Sequence, residues 1–146
     1  MQSLVGCELH KIEVSHGEEV IRFETDKGVK TFLAEGDCCS ESWFADILIS
    51  QDFKGGRVFK VEEMDLPEFV KSLINKDGRG RQDEDEVYGY KLFLRSDNTY
   101  RCSFIEIIFR NSSNGYYGGM VRELEGEIPK YVTVTGWTEI TKTWQA

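Results

Sequence analysis

Basic residues are the first shortage in this sequence. Eighteen Lys and Arg stand against 26 Asp and Glu in 146 residues, a net charge of −8. A chain this short of cations cannot displace counterions along a phosphate backbone, which argues against direct nucleic-acid binding. Nor is it drawn to an anionic membrane surface. Long apolar runs are missing as well. None approaches the roughly 18–20 residues needed to cross a bilayer, and the opening MQSLVGCELHKIEV has neither the basic start nor the apolar segment of a secretory signal. These absences point to the cytoplasm, where the four cysteines (Cys7, Cys38, Cys39, Cys102) stay reduced and build no disulfide framework. His10 and His16 are the only histidines, and no Cys-x₂₋₄-Cys pair exists, so the usual spacing of structural zinc is absent.

What is present argues for one packed domain over residues 1–146. Forty per cent of the residues are hydrophobic and 18 are aromatic, enough for a real core in a chain of single-domain size. Residues 4–14 are strand-like, with the alternation slipping between Leu9 and Ile12 as a bulge would make it do. VIRFET (20–25) and VKTFLAE (29–35) alternate around an Asp26-Lys27-Gly28 hairpin signal. At Ser40 the period changes. Trp43, Phe44, Ile47 and Leu48 fall at i, i+1, i+4 and i+5, which predicts a helix capped by Ser40. RVFKVEE (57–63) is a further strand. Asp65-Leu66-Pro67-Glu68 opens a second predicted helix with Leu66, Phe69, Val70, Leu73 and Ile74 on one face. The charged stretch 77–86 reads as a mobile loop. Strands follow over 88–94, 100–109, 120–126 and 131–140. The expected fold is α+β: a mostly antiparallel sheet of seven or eight strands with two short helices.

Two polar loops carry whatever chemistry is visible. In GDCCSESWF (36–44) the adjacent cysteines would point to opposite sides of a strand, a poor start for a shared metal. Asp37, Glu41 and Glu35 oppose formation of a thiolate at Cys38 or Cys39, although a helix N-terminus would favour it. One cysteine filling a core niche beside a surface neighbour is the simpler reading, and Cys102 reads as packing. The second loop, RNSSNGYYGG (110–119), crowds Asn111, Ser112, Ser113 and Asn114 before Tyr116 and Tyr117. Such residues supply turn geometry. They also offer stacking faces and hydrogen bonds to a polar ligand. The carboxylates are scattered, with no spacing that singles out an acid/base pair.

Taken together, LVGCELHKIEV, GDCCSESWF and FRNSSNGYYGG resemble a family of small uncharacterised bacteriophage and bacterial proteins in which GDCCS-x-SW and RNSSNGYYGG loops recur. The resemblance implies a viral or mobile-element origin, a host-cytoplasm location, and a role for both loops beyond turning the chain. The resulting expectation is a non-enzymatic binding protein acting against host defence. Its ligand-binding residues would be Asp37, Cys38, Cys39, Ser40, Glu41, Trp43, Asn111, Ser112, Ser113, Asn114, Tyr116 and Tyr117. They would take a small polar or nucleotide ligand or a host defence protein with a basic surface, with no catalytic residue, metal or cofactor. The rivals are an enzyme using Cys38 or Cys39 as nucleophile or metal ligand, and a structural or assembly subunit.

Overall fold

The computed structural model of the chain describes residues 1–37, 40–64, 66, 84–96, 102–113 and 118–146. A 3₁₀ turn at Gln2–Leu4 precedes ten strands: β1 (Leu9–Ser15), β2 (Val20–Thr25), β3 (Gly28–Gly36), β4 (Glu41–Ile49), β5 (Arg57–Met64), β6 (Glu84–Arg95), β7 (Cys102–Ser113), β8 (Gly119–Leu124), β9 (Trp137–Glu139) and β10 (Trp144–Gln145). They form two five-stranded sheets, ordered β8-β3-β2-β1-β9 and β10-β4-β7-β6-β5, with every pairing antiparallel.

The expected α+β class is therefore overturned: among the described residues the regular structure is β apart from that one 3₁₀ turn. The decisive element is β4. Phe44 pairs with Phe109 and Asp46 with Ile108, so Ala45 is the extra residue of a bulge. An extra residue reverses the parity of the strand. Phe44 before it and Ile47 and Ile49 after it consequently pack in the same core, while Leu48 packs in a separate cluster with Leu66, Val87 and Ile108. Apolar residues at 43, 44, 47 and 48 are thus the signature of a bulged strand buried on both faces, and this imitates a helical stripe. The second predicted helix, apart from Leu66, lies outside the described residues.

Other elements are placed with few changes. The β1–β2 register slips between Leu9 and Lys11, where the bulge is expected. The β2–β3 hairpin closes at Thr25 and Gly28, Gly28 has φ 104°, and the Thr25 hydroxyl donates to the Gly28 carbonyl at 2.7 Å. Glu84–Glu86 belong to β6, so the charged loop expected over 77–86 does not extend through them, and 77–83 are outside the described residues. The strand expected over 131–140 reduces to Trp137–Glu139, and Cys102 is exposed at the start of β7 rather than packed.

The main core lies between the sheets. Ile12, Val14, Ile21, Phe23 and Phe32 from the first meet Phe44, Ile47, Leu92, Leu94, Ile105 and Ile107 from the second. Each such side chain contributes about 1.5–3 kcal/mol on burial. A second cluster covers the outer face of the first sheet, where Val20, Leu33, Leu124 and Val132 pack with Ile128, Val134 and Trp137. The sheets are stitched at their corners by backbone bonds. Phe44 N–H donates to Glu18 O at 2.7 Å, Gly6 N–H to Val58 O at 2.7 Å, and Leu9 N–H to Gly56 O at 2.9 Å. No helix among the described residues is long and apolar enough to cross a membrane.

Candidate functional site

The two polar loops meet. β3 runs out at Gly36, and after the turn the chain re-enters as β4 at Glu41. β7 runs out at Ser113 and returns as β8 at Gly119. Gly36 pairs with Gly119 in one sheet, while Glu41 and Ser42 pair with Ser112 and Asn111 in the other. The described ends of the two connections thus lie against each other where the sheets join. Asp37 N–H donates to Gly118 O at 3.0 Å, and Gly118 N–H lies 3.4 Å from Asp37 Oδ2. The Ser40 hydroxyl donates to Asp37 O at 2.7 Å and reaches Gly118 O at 3.3 Å.

Asn111 holds this junction from beneath. Its side-chain amide donates to Ser42 Oγ at 2.8 Å and approaches Ser40 Oγ at 3.2 Å and the Glu41 carbonyl at 3.4 Å. The contact with a carbonyl, which can only accept, fixes which end of the amide is nitrogen. Asn111 is fully buried, and its Oδ1 has no hydrogen-bond partner among the described residues. Close packing demands glycine at 119. A Cβ there would collide with Ser42 Oγ and come within 2.7 Å of Asn111 Nδ2 and 2.9 Å of Asn111 Cβ.

The residues expected to bind ligand therefore divide. Asp37, Ser40 and Glu41 lie at the surface of the junction. Trp43, Asn111, Ser112 and Ser113 are buried and support it from below, with the Arg110 guanidinium 4.7 Å from the Trp43 ring centroid. Cys38, Cys39, Asn114, Tyr116 and Tyr117 lie outside the described residues. Among the described residues no group of three or more His, Cys, Asp or Glu is placed to hold a metal ion.

A cleft of about 230 Å³ adjoins the junction, lined by Glu19, Glu35, Ser40, Glu41, Ser42 and Tyr131 together with Leu33, Ala34, Gly36 and Val132. Three of its lining residues are carboxylates. Glu35 is engaged: the Tyr131 hydroxyl donates to its Oε1 at 2.6 Å and Arg122 Nε to its Oε2 at 2.9 Å. The phenol hydrogen bond, followed by the Arg122 hydrogen bond, holds the Glu35 carboxyl below its ordinary range. The same bond to Glu35 raises the Tyr131 phenol. Glu19 and Glu41 add their charges to the cleft. The inward lean of Glu19, Glu35 and Tyr131 escaped sequence reasoning because no local pattern announces it. Tyr131 meets Glu35 across 96 positions of chain, and Arg122 meets it across 87.

The profile of a family described as a domain of unknown function, DUF7448, matches residues 2–122. The chain belongs to that family. It is also similar to an uncharacterised protein of Acanthamoeba polyphaga mimivirus, 29% identical over 126 residues that cover 79% of this chain and 85% of the relative. No solved structure matches it. Both loops contribute residues to the matched span, and the cleft residues Glu19, Glu35, Ser40 and Glu41 and the Glu35 partner Arg122 lie within it, whereas Tyr131 lies beyond.

Proposed function

We propose that the chain is a virus-encoded, non-enzymatic binding protein acting through its 36–43 and 111–119 loops, with the acidic cleft beside the 36–43 loop receiving a basic group of a host protein, in the service of countering host defence. The observation that carries this reading is the charge of the cleft. Glu19, Glu35 and Glu41 line it, and Arg122 is engaged by Glu35, so an arginine or lysine side chain entering beside Ser40 and Ser42 would find charge and hydrogen-bond acceptors together. A nucleotide phosphate in the same place would meet like charge, so of the two ligand classes the sequence suggested, the basic protein surface fits better. The net charge of −8 extends the attraction beyond the cleft, and the mimivirus relative supports a viral setting.

The test is binding of the full chain to arginine-rich and lysine-rich peptides and to nucleotides by calorimetry, repeated with the Glu19→Gln/Glu41→Gln double variant. Basic peptides are expected to bind with an affinity that falls as salt rises and that drops in the double variant. Binding indifferent to both substitutions, or binding of nucleotides alone, would overturn the reading.

A further inference from the structure

A second cavity, of about 390 Å³, lies apart from the acidic cleft, on the inner side of β8. It is lined by Gly119, Met120 and Val121 of β8, Glu63 and Met64 of β5, Tyr88, Gly89 and Tyr90 of β6, and Phe109 of β7. Its volume falls within the range of about 300–1,000 Å³ typical of small-molecule sites. β8, an edge strand of its sheet among the described residues, forms one wall and the second sheet the other, so the cavity opens at a seam of the sandwich.

Strand geometry gives this cavity its chemistry. Tyr88 and Tyr90 lie two apart on β6 and therefore share a face, and Tyr88 is in register with Phe109 on β7. The Tyr88 and Phe109 rings stack with centroids 4.9 Å apart and planes 21° apart. Tyr90 and Phe109 have centroids 6.1 Å apart and planes 16° apart. Three nearly parallel rings thus line one cavity. Among the described lining residues Glu63 is the one carboxylate and none is Lys, Arg or His. Its charge reaches the rings: burial first, and then the negative charge of Glu63, raise the half-buried Tyr90 phenol above its ordinary value.

We propose that this cavity binds a planar heteroaromatic ligand with N–H donors, of the class of a purine or pyrimidine base or its nucleoside, stacked on the Tyr88–Phe109–Tyr90 rings with its donors toward Glu63. Parallel rings extend naturally to one more flat ring. A carboxylate accepts from exocyclic amino and ring N–H groups, and the negative charge of Glu63 selects against a phosphate as the anchoring group. The site differs from the acidic cleft in residues and in ligand, although Gly119 stands close to both.

Saturation-transfer NMR and calorimetry on the full chain, with adenine, guanine, cytosine, their nucleosides and the 5′-monophosphates as probes, test the proposal. At least one base or nucleoside is expected to bind saturably, and its monophosphate no more tightly. Glu63→Gln, at an exposed position, is expected to weaken that probe about tenfold or more through loss of a charged acceptor. That variant should melt with the wild type. The Glu19→Gln/Glu41→Gln variant, which tests the other site, is expected to bind the probe normally. No saturable binding by any probe would overturn the inference. So would binding unchanged in Glu63→Gln, or a monophosphate that binds more tightly than its nucleoside.

Discussion

Adjacent glycines at the loop junction offer a controlled perturbation. Neither Gly118 nor Gly119 has the positive φ that alanine would resist, so only space distinguishes them. A Cβ at Gly118 has nothing within 4 Å among the described residues, whereas one at Gly119 collides with Ser42 Oγ and crowds the Asn111 side chain. Asn111 is fully buried and Ser42 nearly so, which leaves little room to yield. Overpacking of this kind costs about 1–3 kcal/mol. Displacing the Asn111–Ser42 hydrogen bond adds about 1–2 kcal/mol, because both groups stay buried. Gly119→Ala is therefore expected to destabilise the protein by about 2–5 kcal/mol. Gly118→Ala should be neutral or stabilising by up to about 1 kcal/mol through its effect on the unfolded chain. At about 2–4 °C per kcal/mol for a chain of this size, the two melting temperatures should separate by at least ~4 °C. Urea unfolding followed by the fluorescence of buried Trp43, together with calorimetry, measures both variants. If they agree within about 0.5 kcal/mol, the Gly119–Ser42–Asn111 packing is wrong and the two loops do not join as described.

Three further outcomes are expected. Asn111→Asp would set a carboxylate against the Glu41 carbonyl in a buried position, a change of about 3–5 kcal/mol visible as a lower urea midpoint that recovers partly at acid pH. Deleting Ala45 would remove the β4 bulge and send either Phe44 or the pair Ile47 and Ile49 to the wrong face; loss of cooperative thermal unfolding is the expected readout, and a wild-type melt would refute the bulge. Glu13, hydrogen-bonded to Arg22, and Glu35, hydrogen-bonded to Tyr131 and Arg122, both have folded values depressed below their ordinary 4.5. Their contribution is therefore complete above pH ~4.5 and is lost as pH falls through the depressed values. Glu13→Gln and Glu35→Gln should each flatten the acid limb of a stability–pH curve, and an unchanged limb in both would count against these pairings.

Much of the first sheet was legible in the chain itself. The alternation of VIRFET and VKTFLAE, the Asp-Lys-Gly turn and the slip between Leu9 and Ile12 are local signals, and local backbone preferences are what a hairpin expresses. β4 was not legible. Its apolar residues are consistent with a helical stripe and with a bulged strand covered on both faces, and only a partner strand can decide between them. β7 supplies that partner by setting Phe44 opposite Phe109 and Asp46 opposite Ile108. The polar loops were visible as unusual strings, but their extent was overestimated, since Arg110–Ser113 continue β7 and are buried.

By itself the sequence determined an acidic, aromatic-rich, hairpin-built chain with two polar stretches, because charge, composition and turn chemistry need no distant partner. Tertiary structure alone decided that those stretches meet on either side of the Gly36–Gly119 pair. It decided too that Glu35 binds Arg122 and Tyr131, and that Tyr88, Tyr90 and Phe109 line one cavity. The Glu35 contacts join residues 87 and 96 positions apart, and long-range pairing becomes visible only when both sheets are closed over a common core.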